Sequence, residues 1–262
     1  MGYHKLENQP LKLILAELRF SPILNVLDYI PKLQDRLRDL YPLLEKGQDK
    51  AVNINVNEVQ VQNMERWIFI SKDKRSLVDI SQDRLLFVTS VYDRFGPFSE
   101  SFQHVIQVIA DVLKPALFSR LGLRYIDAVV PLENEKLEDL IDDSFLMPIA
   151  LSKFSDRNLG HKTESGVQVN DGHLIVRTLH LISNMVVMPD QNQVPIIIPA
   201  SDEEKKVSVR VLLDFDHYWH NPQNQEDFNV SAILERLSHL HQPSRQAFFS
   251  MTTDKARNEK WS

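Results

Sequence analysis

Apolar and polar residues change their period several times along this chain, and each change marks an element. LKLILAELRF, residues 11–20, alternates on a period of two, with Leu11, Leu13, Leu15 on one face and Ile14, Ala16, Leu18, Phe20 on the other. Both faces are apolar, which predicts a strand covered on both sides. A helix follows, with Asp28 as a cap, Pro31 in the first turn, and Ile30, Leu33, Leu37, Leu40 and Leu44 at helical spacing. Gly47 is its expected stop. From Ala51 to Tyr92 the period returns to two. AVNINVNEVQVQ sets Val52, Ile54 and Val56 against Asn53, Asn55 and Asn57, and the parity flips near Glu58, which predicts a bulge. RWIFIS, SLVDIS and RLLFVTSVY supply up to three more strands.

A long amphipathic helix comes next. Ser99 is its expected cap, and Phe102, Val105, Ile106, Ile109, Val112, Leu113, Ala116 and Leu117 form its apolar stripe. Pro115 should kink or end it near Lys114. RLGLRYID, residues 120–127, reads as a strand, and LEDLIDDSFLMPIA as a short acidic helix. SGVQVNDGHLIVRTLHLI is a hairpin turning at Asn170-Asp171-Gly172. MPDQNQVPIIIPASDEEKK is loop-like and is the expected most mobile segment. VSVRVLLDFDHYW is a further strand, and the final helix carries Val230, Ile233, Leu234, Leu237, Leu240 and His241, with Pro243 splitting it. Strands in runs, with helices between the runs, predict an α+β protein: largely antiparallel sheet covered by about three main helices. Residues 1–262 read as one integrated unit, and the stretch best suited to a division into two lobes lies near 132–150.

Composition narrows the function classes. Hydrophobic residues at 43% and charged residues at 25% suit a chain that buries a core. A net charge of −6 argues against a broad nucleic-acid-binding surface or an anionic membrane partner. The densest basic cluster, Lys72, Lys74 and Arg75, is interrupted by Asp73 and reads as a hairpin tip. There is no cysteine, which removes disulfides, thiolate catalysis and cysteine-held metal clusters. LKLILAEL is too short and too charged for a secretory signal, and no apolar run approaches a bilayer span. A cytoplasmic location is expected.

Four segments in order carry a resemblance: PLKLILAELRFSPI, RLGLRYID, VLLDFDHYW and AFFSMTTDKARNEKW. Glu17, Arg19 and Phe20 form an E-x-R-F strand. Arg120, Gly122, Arg124 and Tyr125 form an R-x-G-x-R-Y strand, and a terminal F-F-x-x-x-T-D segment follows. In these the chain resembles a sporadically distributed family of uncharacterised prokaryotic proteins of about this length. The resemblance covers nearly the whole chain and implies no established activity. Sporadic distribution implies horizontally moved genes, which often serve phage defence or toxin–antitoxin functions.

The candidate chemistry is sparse. The seven glycines never form G-x-G-x-x-G or a P-loop, and G-x-S-x-G and H-E-x-x-H are absent. The S-x-x-K match at Ser71 and Lys74 lies in a charged turn, unsuited to a desolvated lysine. On a strand, Asp214 and Asp216 share one face while His217 takes the other. That pair is the candidate for a divalent metal, in a phosphodiesterase or nuclease, with a third acidic ligand from elsewhere. The competing reading is a solvent-facing pair at a strand end with Phe215 and His217 turned inward. His241 continues the apolar seam of its helix and reads as a buried histidine with one hydrogen-bond partner.

Arg124 sits between Gly122 and Ile126 on one face of its strand, so its charge needs a partner. Glu17, from another doubly apolar strand, is the expected one, with Arg19 able to join. This structural ion pair is the leading reading, and a ligand-anchoring site of Glu17, Arg19 and Arg124 the second. The function expected is a non-enzymatic protein-interaction or regulatory component of a mobile defence or toxin–antitoxin locus, with a protein partner and no cofactor. The alternatives are the metal-dependent enzyme and a small-molecule sensor anchored by Arg124 or Arg19. Sequence sets neither the partner's identity nor the oligomeric state.

Overall fold

The computed structural model describes residues 5–55, 58–146, 148, 153, 160–170 and 172–262. The two strands with the most apolar alternation, β1 (Leu11–Phe20) and β6 (Leu117–Val129), pair antiparallel in the middle of a ten-stranded sheet. The other strands are β2 (Leu43–Asn55), β3 (Glu58–Ile70), β4 (Ser76–Ile80), β5 (Arg84–Thr89), β7 (Gly160–Val169), β8 (Gly172–Ser183) and β9 (Ser208–His220). Across the sheet they run β2-β3-β4-β5-β1-β6-β9-β8-β7, with a two-residue β10 (Glu226–Asp227) on the end of β6. With helices α1 (Ile30–Leu37), α2 (Phe95–Val112) and α3 (Val230–Met251), this is the α+β architecture that runs of strands between helices imply.

Alternation gives the sheet two different faces. Ile14, Ala16, Leu18, Phe87, Leu121, Leu123, Val211, Leu213 and Phe215 join Leu33, Phe102, Ile106, Ile233 and Leu237 of the three helices in one large core. Leu13, Leu15, Ile126, Ala128 and Leu212 point the other way into a smaller core. Among the described residues no helix of eight or more residues lies in that smaller core. Its cover is the segment around 186–198, whose Val187 and Met188 are buried and whose Val194, Ile196 and Ile198 pack beside them. The expected mobile loop is thus a strap on the sheet: its Val and Ile residues have apolar surface to cover, which outweighs its prolines.

Buried cations hold the strap's far end. The fully buried Arg210 donates Nη1 to the Met185 and Glu204 carbonyls at 3.1 and 2.9 Å, and Nη2 to the Lys206 carbonyl at 2.6 Å and Ser208 Oγ at 3.1 Å. Lys12 pairs with Glu204 at 2.6 Å, where the one-turn helix Asp202–Lys205 is closed by a Ser201–Glu204 capping box. At the strap's middle, Ser90 Oγ donates to the Ile197 carbonyl and the Ile197 N–H to the Lys74 carbonyl.

Several elements differ from the sequence expectation. The first helix stops at Leu37, and Leu44 and Gly47 belong to β2, because Pro42 disfavours helical continuation. The bulge expected near Glu58 is a chain reversal instead: Asn55 pairs with Glu58, Ile54 with Val59 and Val52 with Val61. Either event flips the parity, so the pattern could not separate them. Residues 56 and 57 lie outside the described residues, as does Asp171 of the expected 170–172 turn. In that turn Asn170 has φ 53° and Val169 pairs with Gly172. A Cβ on Gly172 would come within 2.7 Å of His217 Nε2, so the close approach of β8 to that ring requires glycine.

The long helix begins at Phe95 with no side-chain cap, four residues before Ser99. It ends where Pro115 dictates, with Lys114 at φ 51°. Pro243 does not split α3. Leu237, Leu240 and His241 before it and Ser244 and Met251 after it are all buried, and their packing carries the helix through. The acidic helix expected at 137–150 is two 3-10 turns, Leu137–Asp139 and Asp143–Phe145, with residues 147, 149 and 150 outside the described residues. Among the described residues no helix is long and apolar enough to cross a membrane.

The terminal segment that carries part of the resemblance is structural. Thr252 bridges to Ile141, Arg257 donates to the Phe249 carbonyl, and the Asn8 N–H reaches the carbonyl of buried Trp261. Arg210→Met keeps most of the buried volume but leaves the strap carbonyls unbonded. It is expected to cost about 3 kcal/mol or more and to open residues 186–200 to limited proteolysis before the sheet unfolds.

Candidate functional site

β6 sends its side chains alternately to the two sheet faces, and each set meets a different environment. Toward the helices go Tyr125 and Asp127. Around them is a cavity of about 410 Å³, walled by β6, Phe215 of β9, the segment before α2, the second half of α3 and the N-terminal residues up to Leu11. Its volume lies within the range of about 300–1,000 Å³ common to small-molecule sites.

Six Phe and Tyr rings line the cavity beside a group of polar and charged side chains. Phe95 stacks on His241 at 4.1 Å with the rings 2° from parallel. His241 Nδ1 is 2.7 Å from the Tyr125 hydroxyl, and Tyr92 meets Tyr125 edge-on with ring centroids 6.0 Å apart. His241 therefore has the single partner its position on the apolar seam suggested. Burial, helped by the nearby Arg245 charge, pushes its pKa down to about 4, so the ring is neutral at pH 7. Burial raises the phenols too: Tyr92 to about 12, and Tyr125 well above its usual value with Tyr92 adding to the effect.

Asp127 is the exceptional group. It is 4% exposed, and its carboxyl makes no hydrogen bond or ion pair among the described residues. Burial lifts its pKa to about 8; the Lys12 charge works against that rise and Asp214, across the sheet, adds to it. A carboxyl buried without a partner is costly to the fold, and unpaired titratable groups in a cleft are candidates for ligand chemistry.

The opposite face of β6 carries Arg120, Gly122 and Arg124. Arg124 does not meet Glu17. Glu17 stands opposite Gly122 in the strand register, midway between the two arginines, and takes Arg120 at 3.0 Å and Arg19 at 3.1 Å. Arg124 turns to β9, where Nε and Nη2 grip the Asp214 carboxylate at 2.7 and 2.8 Å, and Nη1 reaches Asp190 of the strap at 2.7 Å. Arg177 completes the cluster, 3.1 Å from Asp214 and 3.6 Å from Asp216. Burial alone would raise Asp190, but the Arg124 guanidinium outweighs it and holds that carboxyl below its usual range. Asp216 is raised by burial, which its arginine neighbours only partly offset.

Asp214 and Asp216 share a face, but neither lies at a strand end facing solvent. Asp214 is fully buried and both its oxygens accept from guanidiniums. A divalent ion there would have to displace two cations. Among the described residues no three His, Asp or Glu side chains are placed to hold a metal. Phe215 and His217 do point inward, with His217 Nδ1 at 2.8 Å from the Leu240 carbonyl.

No protein-family model matches the chain, and no curated protein matches it in sequence.

The sequence signal for Asp127 was present: alternation puts it on the face of Leu121, Leu123 and Tyr125, an acid in an apolar row. Its folded pKa lies far above the unfolded value near 3.8, so the folded chain binds more protons between about pH 4 and 8. Asp127 therefore withdraws stability as pH rises through that window. Asp127→Asn should raise the Tm by about 5 °C or more at pH 8.5, with the gain vanishing toward pH 4. Asp214→Asn is expected to do the opposite, costing about 3 kcal/mol in urea unfolding at pH 7 by removing the buried carboxylate that two part-buried arginines share.

Proposed function

We propose that the protein is a non-enzymatic regulatory component, cytoplasmic, whose interaction with a protein partner is set by a small organic molecule bound in the Asp127 cavity. The observation that carries this reading is the cavity itself: about 410 Å³, lined in part by six Phe and Tyr rings, with a buried carboxyl that has no hydrogen bond or ion pair among the described residues. Buried titratable groups with strongly perturbed pKa values that sit in a cleft cluster at functional sites, which supports a ligand-binding use for this one. The anchor is Asp127, since Arg124 and Arg19 are already engaged by carboxylates. The Asp214–Asp216 pair supports a metal-dependent nuclease poorly, its oxygens being committed to arginine.

The partner on this reading comes from a mobile defence or toxin–antitoxin locus, as the resemblance implies. A change at the cavity reaches the surface through α3, whose Arg245, Phe248 and Phe249 line it, and through the segment before α2.

The test is a thermal-shift screen of the wild-type chain against metabolites and nucleotides, run beside Gly96→Trp. Gly96 lines the cavity in the first turn of α2, and a Cβ there meets nothing within 4 Å, so a large side chain can be placed at the cavity's edge without a backbone clash. A true ligand at a hundred times its Kd adds about 2.7 kcal/mol, a rise of about 5 °C or more. At least one compound class should shift the wild type and not Gly96→Trp. A flat screen, or shifts equal in both proteins, contradicts the reading.

A further inference from the structure

We infer that the cavity recognises a protonated organic amine on an aromatic or apolar body, with Asp127 as its counter-ion. This rests on the ligand-cavity reading above and names the ligand's chemistry. Three features of the wall select it.

The first is the carboxyl. Asp127 projects into the cavity from the middle of the sheet with no donor from the protein among the described residues. A neutral ligand gives such a group one hydrogen bond, whereas an ammonium gives a charge-assisted bond and removes the cost of ionising it in the dry. The second is the wall. Tyr92, Phe95, Tyr125, Phe215, Phe248 and Phe249 surround the space, and aromatic faces attract cations while excluding water. The third is the position of the protein's own cations. Lys12 is drawn to Glu204 at 2.6 Å, and Lys5 and Arg94 at the rim are drawn to Asp93 at 2.6 and 2.8 Å. The Lys12 charge acts on Asp127 from a distance, but none of these three cations forms an ion pair with it, so the acid is left for a ligand.

Amine binding has a proton signature. The groups facing Asp127 are Lys12 from β1, Tyr125 on β6, Tyr92 ahead of α2, and His241 with Arg245 from α3, with Asp214 behind the sheet. His241 is neutral and the phenols are protonated at pH 7, so Asp127 is the group that changes state. The free carboxyl is mostly protonated there, its pKa being about 8. An alkylammonium, with a pKa near that of lysine at about 10.4, enters already charged. The reaction is a carboxylic acid plus an ammonium giving a carboxylate–ammonium pair, with one proton passed to the buffer.

Isothermal titration calorimetry of the full chain with 2-phenylethylamine and its neutral isostere 2-phenylethanol tests this, in two buffers of different ionisation enthalpy. The amine should bind at least tenfold more tightly than the alcohol and release nearly one proton at pH 7, with the release fading by pH 9. Asp127→Asn, an isostere of the protonated side chain that keeps the fold, should lose tenfold or more in amine affinity and all of the proton release. Equal binding of amine and alcohol, or amine binding undiminished in Asp127→Asn, overturns the inference. If that binding is lost in Gly96→Trp, the cavity still holds ligands and only their charge was misassigned. Absence of binding by both probes also overturns it, leaving the broader reading to the metabolite screen.

Discussion

The structure depends on one geometric constraint: a ten-stranded antiparallel sheet whose three main helices all lie on the same side. Helices can bury one face of a sheet; the other must find a different cover or stay polar. This chain does both. At one end of the uncovered face the 186–198 strap buries Leu13, Leu15, Ile126 and Leu212. Over the remainder, arginines and carboxylates interleave: Arg66 and Arg84 on Asp79, Arg19 and Arg120 on Glu17, Arg124 and Arg177 on Asp214. Each carboxylate is shared by two guanidiniums from different strands or from one strand and its neighbour. Arg124 also holds Asp190, so the ionic half of the face is tied to the apolar half through the strap.

That arrangement explains why the arginines of RLGLRY attract attention and why they make a poor ligand site. Their charges are consumed in keeping the exposed side of a wide sheet compatible with burial, where breaking a pair costs more than forming it gains. The helix-side residues of the same strand differ. The Tyr125 hydroxyl is satisfied by His241, but the Asp127 carboxyl has no hydrogen bond or ion pair among the described residues. One strand thus carries a structural ion-pair row on one side and the anchor of a cavity on the other, separated by nothing more than side-chain alternation.

Much of the fold was legible where the apolar period was strong. β1, β6, β9 and α2 lie where alternation and the helical stripe put them, and the α+β class follows from their order. Local patterns failed where two causes leave the same trace. A two-residue reversal and a bulge both flip parity, so β2 and β3 read as one strand. Leu40 and Leu44 keep helical spacing by coincidence, and Pro42 is the stronger signal. Pro243 was misread because proline's local preference is small beside the burial of the residues around it, and burial of the same kind seats the loop-like strap on the sheet. At the site, alternation put Arg124 on the face of Gly122 and Ile126, but only the register shows Glu17 opposite Gly122, midway between Arg120 and Arg124, with Asp214 taking the latter. His241 was legible as a buried histidine, whereas its partner, 116 residues away, came only with the fold.

The ligand site depends on Asp127 being buried, without a partner among the described residues, and neutral in the free protein. The direct measurement is a 13C NMR titration of aspartate carboxyl carbons in labelled wild-type protein, with the Asp127 signal assigned by its loss in Asp127→Asn. A midpoint near pH 8 is the expected result. A midpoint in the ordinary carboxylate range, near 4, would mean that water or a protein cation already satisfies the group, and would contradict the account.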